Sequence, residues 1–169
     1  MSQQQQKLIL GIDPGLNITG YGILDVASRS PVMVEAGVIR SKRNDSLELR
    51  LRSLHNGITD VLSAFPIDTV AIEELYSHYE RPSTAIIMGH ARGVLFLAAG
   101  QQDLKVVSYA ATQVKKMLTG NGRAPKSQVQ MAITRLLNLA EVPEPPDVAD
   151  ALAIAMCHYQ LSNRPTSLI

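Results

Sequence analysis

The chain has 169 residues, 46% of them apolar and 18% charged, with a formal net charge of +1. These proportions fit one compact domain able to bury its own core, and they exclude a strongly basic whole-protein field. One cysteine, Cys157, cannot close an internal disulfide, and the polar start (Met1-Ser2-Gln3-Gln4-Gln5-Gln6-Lys7) lacks a signal-peptide core. No apolar run approaches the roughly 20 residues that cross a bilayer, so the sequence predicts a soluble, cytoplasmic single domain over 1–169 with no membrane partner. Residues 1–6 and about 162–169 are expected to be flexible tails.

In chain order, Lys7–Asp13 is a short apolar run ended by Pro14-Gly15 and reads as a buried strand. Thr19–Val26 and Val32–Arg40 follow as strands, which makes the first three an antiparallel meander. The period then changes. Leu47, Leu51, Leu54, Ile58, Val61, Leu62 and Phe65 recur at spacings of three and four, predicting an amphipathic helix over Ser46–Phe65. Asp45 or Ser46 is its candidate N-cap and Pro66 its stop. Asp68–Leu75 is a fourth strand, Ser83–Ala99 a mostly apolar helix and Leu104–Ser108 a fifth strand. Helices over Ala110–Leu118, Ser127–Leu139 and Asp147 to about Leu161 complete the chain. This is an α/β order with a five-stranded mixed sheet and helices on both faces, as in the ribonuclease-H-like fold.

Charge is unevenly distributed. Between Leu104 and Ala140 the basic residues Lys105, Lys115, Lys116, Arg123, Lys126 and Arg135 meet no acidic residue. Such a segment either attracts a polyanion or forms a solvated helix surface, and charge alone does not choose.

Four carboxylates stand out by position. Asp13 ends an apolar strand, where a charge is costly unless paired, hydrogen-bonded or metal-bound; the alternative is a turn residue capping Pro14-Gly15. Glu73 and Glu74 end another apolar strand, and alternation puts them on opposite faces, so only one can point towards Asp13. Asp147 and Asp150 are three apart at a helix start, about 60° around the axis, and share its first-turn face. Helix capping is their alternative role. Gathered together, these groups would repel one another unless divalent cations held them, and hard oxygen donors suit Mg²⁺ or Mn²⁺. Two such ions could stabilise the attacking and leaving oxygens of a phosphodiester displacement. His55, His78, His90 and His158 show no zinc spacing. No phosphate-binding glycine loop precedes a helix, and Gly20 and Gly22 lie in a strand, where glycine marks close approach of another backbone.

On these residues the chain resembles the RuvC-type Holliday-junction resolvase family. Ile9-Leu10-Gly11-Ile12-Asp13-Pro14-Gly15 with Thr19-Gly20-Tyr21-Gly22 is similar to the family's opening hairpin, and Ala71-Ile72-Glu73-Glu74-Leu75-Tyr76 to its second acidic motif. Gly89-His90-Ala91-Arg92-Gly93-Val94 resembles the following helix. Tyr109–Lys116 and Lys126–Gln130 resemble the basic segment, and Asp147–Ala153 the closing acidic motif. The resemblance implies a homodimer that nicks two opposed strands of a four-way DNA junction, leaving 5′-phosphate and 3′-hydroxyl ends. It favours Glu73 over Glu74, giving Asp13, Glu73, Asp147 and Asp150 as metal ligands for two Mg²⁺ or Mn²⁺ ions. Lys126 is implied as catalytic, with Tyr76, Arg81, Lys115, Lys116, Arg123 and Lys126 contacting DNA. Gly120-Asn121-Gly122 would be an adaptable loop. Ile86, Ile87, Val94 and Leu95 are candidates for the dimer interface, and a RuvA–RuvB branch-migration complex is an implied partner. Glu74 departs from the family's usual neutral amide. Alternatives are a YqgF-like nuclease acting on another nucleic acid, or a non-catalytic junction-binding protein.

Overall fold

The structure is a computed structural model and describes residues 6–75 and 82–163. Tyr76, Arg81 and most of both expected tails lie outside the described residues. Ten elements follow in the expected order: β1 (Leu8–Asp13), β2 (Ile18–Asp25), β3 (Val32–Arg40), α1 (Leu47–Ala64), β4 (Ile67–Glu73), α2 (Pro82–Gly100), β5 (Lys105–Tyr109), α3 (Ala111–Thr119), α4 (Lys126–Leu136) and α5 (Pro146–Ser162).

The sheet order is β3-β2-β1-β4-β5. β1, β2 and β3 form the antiparallel meander, while β1–β4 and β4–β5 are parallel. The parallel pairs require crossovers, which α1 and α2 provide. Alternation along β1 divides two cores. Leu8, Leu10 and Ile12 pack with Leu54, Ile58, Leu62, Ala91 and Leu95, while Ile9 packs with the α3–α4–α5 side through Val114, Val129 and Leu152. Gly11 and Asp13 follow Ile9 on that second face.

Helix α5 lies unusually close to the sheet, because its facing row of β1 and β2 is glycine. A Cβ on Gly11 would sit 2.1 Å from the Ala151 carbonyl oxygen, and one on Gly20 would sit 2.0 Å from that of Asp147. Gly20 therefore does mark close approach of another backbone, while Gly22 meets chiefly the Leu152 side chain at 2.5 Å. Small residues on α5 meet it: Ala149, Ala151, Ala153 and Ala155 are all buried.

Several boundaries differ from expectation. α4 stops at Leu136 rather than Leu139, since Asn138 takes a left-handed conformation (φ 51°) and the end closes with Leu139 N–H donating to the Thr134 carbonyl (2.9 Å) and Asn138 N–H to that of Arg135 (3.1 Å). Ser46 occupies the N-cap of α1, but its hydroxyl turns to Glu48 (2.5 Å) instead of capping a backbone N–H. α5 runs to Ser162, one residue into the expected tail. α2 is, by length and composition, apolar enough to cross a bilayer, though His90 and Arg92 interrupt its apolar run. Its Ala91, Leu95, Ala98 and Ala99 are nevertheless packed in the core, so Leu95 is unavailable to a dimer interface.

Candidate active site

Parallel strands deliver their C-terminal ends to one edge of a sheet, and here those ends are acidic. Asp13 closes β1 and Glu73 closes β4, its parallel neighbour. Glu73 follows Ala71 onto the α5 face, whereas Glu74 is exposed and donates its backbone N–H to Tyr109 (2.9 Å). α5 descends onto the same edge. Asp13, Glu73 and Asp150 line one cavity of about 320 Å³ together with Lys115 and Lys126. Its remaining lining is apolar: Ala111, Val114, Val129, Ala153 and Ile154.

The bland alternatives for these acids lose ground in the structure. The Pro14-Gly15 turn is held by Thr19, whose side chain accepts from Gly15 N–H and donates to Gly15 carbonyl. The N-cap of α5 is Pro145, with Pro146 opening the helix and no side-chain cap. Asp147 sits in the first turn outside the cavity lining, with its backbone against Gly20 and its charge near enough to act on Asp13.

The electrostatics are those of crowded anions over an apolar floor. Burial, then the charges of Glu73, Asp150 and Asp147, push the Asp13 carboxyl up to about 8, with Lys126 opposing. Burial and Asp150 likewise raise Glu73, against Lys115 and Lys126. Lys126, the first residue of α4, pairs with Asp150 at 2.6 Å. Burial works against its ammonium, but the hydrogen bond to Asp150 and the charges of Asp150, Asp13 and Asp147 outweigh it and raise the lysine.

An all-carboxylate donor set this short of positive charge fits a hard divalent cation. Among the described residues, no three Asp, Glu, His or Cys side chains are arranged to hold an ion by themselves. That does not oppose the fit, because Mg²⁺ commonly takes one or two carboxylates and completes its shell with water and substrate phosphate.

The remaining basic residues disperse. Lys116 lines a separate groove with Gln113, Met117, Gly120 and Leu161. Lys105 starts β5, at the opposite end of the sheet from Glu73. Arg123 is exposed, and its backbone N–H donates to Asn121 Oδ1 (2.9 Å). The Gly120–Gly122 loop is tied rather than loose: Gly120 (φ 78°) caps α3, and Thr119 Oγ1 bonds Asn121 from both sides.

One residue that sequence reasoning gave no role is Arg92. From α2, on the far face of the sheet, its Nε donates to the Glu73 carbonyl (3.3 Å) and its guanidinium to Ser108 Oγ (2.6 Å). Phe96 lies 4.4 Å beneath it. Arg92 therefore fixes the main chain that carries Glu73.

A five-stranded 3-2-1-4-5 sheet with acidic strand ends and an acidic helix against them is the ribonuclease-H-like class of nuclease fold. A family profile described as crossover junction endodeoxyribonuclease RuvC matches residues 9–158. A relative of that name from Rhodopirellula baltica is 54% identical over 157 residues, covering 93% of this chain and 88% of its own. One from Desulforamulus reducens is 41% identical, covering 92% and 95%. A solved structure of T. thermophilus RuvC in complex with Holliday junction substrate superposes with TM-score 0.86 at 31% identity, covering 92% of this chain and 94% of that one. The chain belongs to the RuvC family of crossover junction endodeoxyribonucleases. It is accordingly a nuclease that hydrolyses DNA in recombination and repair.

Proposed function

We propose that this chain resolves four-way DNA junctions by nicking two opposed strands, with Asp13, Glu73, Asp147 and Asp150 as its catalytic carboxylates. The observation that carries the reading is the meeting of Asp13, Glu73 and Asp150 in one cavity at the sheet edge, with Lys115 and Lys126 beside them. These four residues would hold Mg²⁺ or Mn²⁺, two ions per site. Held there, such ions supply Lewis acidity at the scissile phosphate and a nucleophile at neutral pH.

The protein's own groups do the positioning. The Lys126 ammonium, already at the acidic centre, and Lys115 across the cavity meet the incoming phosphate and offset charge developing on it. Ala111, Val114, Val129, Ala153 and Ile154 exclude water beneath the carboxylates, which strengthens each of these interactions. Arg92 holds the end of β4 so that Glu73 keeps its direction. Arg123 and Lys116 are read as outlying DNA contacts, with Tyr76 and Arg81 proposed for the same role. The nuclease unit spans the whole chain in this reading, and the protein works in the cytoplasm, where its DNA lies.

A synthetic mobile junction with mapped nick positions tests the function. Paired symmetric nicks are expected in Mg²⁺ or Mn²⁺ and none in EDTA, with a linear duplex and a structured RNA left intact. Preferential cleavage of the RNA would favour the YqgF-like alternative, and binding without nicking would favour a non-catalytic protein.

A homodimer follows from the symmetry of the substrate, since two equivalent cuts need two equivalent sites. Its surface is read on α2, where Ile86 (62% exposed) and Leu97 (55%) flank an apolar trough lined also by Leu51, Gly89, Gly93 and Val94. Ile87 is exposed beside them, and Gly89 and Gly93 face open space, which would let a second helix approach closely. Leu97→Asp should sediment as a folded monomer and lose paired nicking. A dimer persisting in that variant would move the interface elsewhere. The RuvA–RuvB motor is proposed as the branch-migration partner.

A further inference from the structure

The β3–α1 corner carries positive charge outside the carboxylate cavity. Between Arg40 and Arg52 there are five basic residues (Arg40, Lys42, Arg43, Arg50, Arg52) and two acids, Asp45 and Glu48. Glu48 is bonded to Ser46. Arg40, Lys42 and Arg43 are exposed, and among the described residues none of the three is in an ion pair.

The topology brings this corner to the active-site edge. Asp13 pairs with Gly20, Gly20 pairs with Val38, and Arg40 lies two residues beyond Val38. Val38 packs on the α5 side, so alternation turns Arg40 to the same face as Asp13. Two inter-strand spacings separate β3 from β1, about 10 Å. Lys115 and Lys126 stand on the other side of the carboxylates, on α3 and α4.

The corner is also built rigidly onto the loop that follows Asp13. Ser41, between Arg40 and Lys42, donates its backbone N–H to the Asn17 carbonyl (3.2 Å) and its hydroxyl to the Leu16 carbonyl. From α1, Arg50 closes the joint through Ser41 Oγ (3.2 Å) and Asn17 Oδ1. A surface salt-solubilising patch would need no such fixed relation to Asp13.

We infer that Arg40, Lys42 and Arg43 form a second phosphate-binding rim, which holds the backbone of a junction arm on the side of the carboxylates opposite Lys115 and Lys126. An anionic centre repels the DNA it must cut, and cations on only one flank would let the strand tilt away. The separation from Asp13 compares with a major-groove width of about 12 Å, so a strand seated at the carboxylates offers its partner strand to the rim.

This inference rests on the proposed junction-cutting role, and the test keeps the two apart. Junction binding is measured against salt concentration in an Asp13→Asn background, where nothing is cut, with and without Arg40→Gln, Lys42→Gln and Arg43→Gln together. Each lost phosphate contact removes about 0.9 from the slope of log affinity against log salt, so the triple variant should lose about 2–3 per protomer, with affinity at least tenfold weaker near 0.1 M salt. Lys7→Gln, an exposed charge before β1 at the far end from Asp13, should match the parent. An unchanged slope in the triple variant, or an equal fall in Lys7→Gln, overturns the rim. Absence of nicking by the wild type would instead count against the proposed function and leaves the slopes readable.

Discussion

Asp13→Asn should reduce junction nicking by on the order of 10³-fold or more while leaving junction binding within a few-fold of wild type. The loss follows because the carboxylate at the centre of the acidic group would no longer bind or orient a divalent ion, and such ions supply several kcal/mol of transition-state stabilisation. Binding survives because most affinity for DNA comes from phosphate contacts elsewhere. The same substitution carries an opposite effect on stability. A carboxyl raised from 3.8 to about 8 binds its proton more tightly in the folded than in the unfolded chain. Between those values the folded state carries the extra proton, so its stability falls as pH rises. Asn cannot ionise and escapes that penalty. In EDTA, Asp13→Asn should therefore match wild type near pH 4 and exceed it by about 1–3 kcal/mol at pH 8, allowing for relaxation and water entry around a mostly buried group. Thermal melts across that pH range read the difference directly. A variant that still nicks at the wild-type rate in Mg²⁺ or Mn²⁺, or that is less stable than wild type at pH 8, would remove Asp13 from the centre of the site.

The sequence held most of this fold because its signals were local. The apolar run before Asp13, the three-four spacing in α1 and the turn residues between strands each act within a few positions. Position on strand ends was legible in the same way, and it separated Asp13 and Glu73 from ordinary surface acids. Choosing between Glu73 and Glu74 was not local. Alternation says only that they differ in face, and the face matters only once α5 is known to cover one of them. α2 was ambiguous for a related reason: a helix apolar all round gives no period to separate buried Leu95 from exposed Ile86 and Leu97. The basic segment misled by adjacency, since Lys115 and Lys116 are neighbours in sequence yet line different grooves. Arg92 and the Arg40–Arg43 rim gave no signal because their roles exist only through strand order. Arg92 acts on a residue that the sheet, not the chain, brings near, and the rim stands beside Asp13 through the same strand order.

The glycine at position 20 joins the fold to the chemistry, and Gly20→Ala should cost both. Its backbone is not in a left-handed conformation, so conformational freedom is not why glycine stands there. The reason is space: an added Cβ would lie 2.0 Å from the Asp147 carbonyl oxygen and 3.0 Å from its Cβ. A tolerable carbon–oxygen contact is about 3.3 Å, so α5 or β2 must retreat by roughly 1 Å. The obstruction is a Cβ against a backbone carbonyl, and no rotamer relieves it. Overpacking of this kind costs about 1–3 kcal/mol. Catalysis should suffer more, because Gly20 is the direct partner of Asp13 in the β1–β2 ladder and α5 carries Asp147 and Asp150. Moving them apart by about 1 Å should lower the nicking rate by on the order of 10²-fold with junction affinity little changed. Gly22→Ala is the matched control. Its Cβ would meet the Leu152 side chain at 2.5 Å, five residues along α5 from Asp147, where a leucine rotamer can give way. The two variants should therefore lose comparable stability but differ in rate by at least tenfold. Equal rates would mean that the seating of α5 on the glycine row serves packing alone, and that the spacing between Asp13 and the helix acids is not what the reaction depends on.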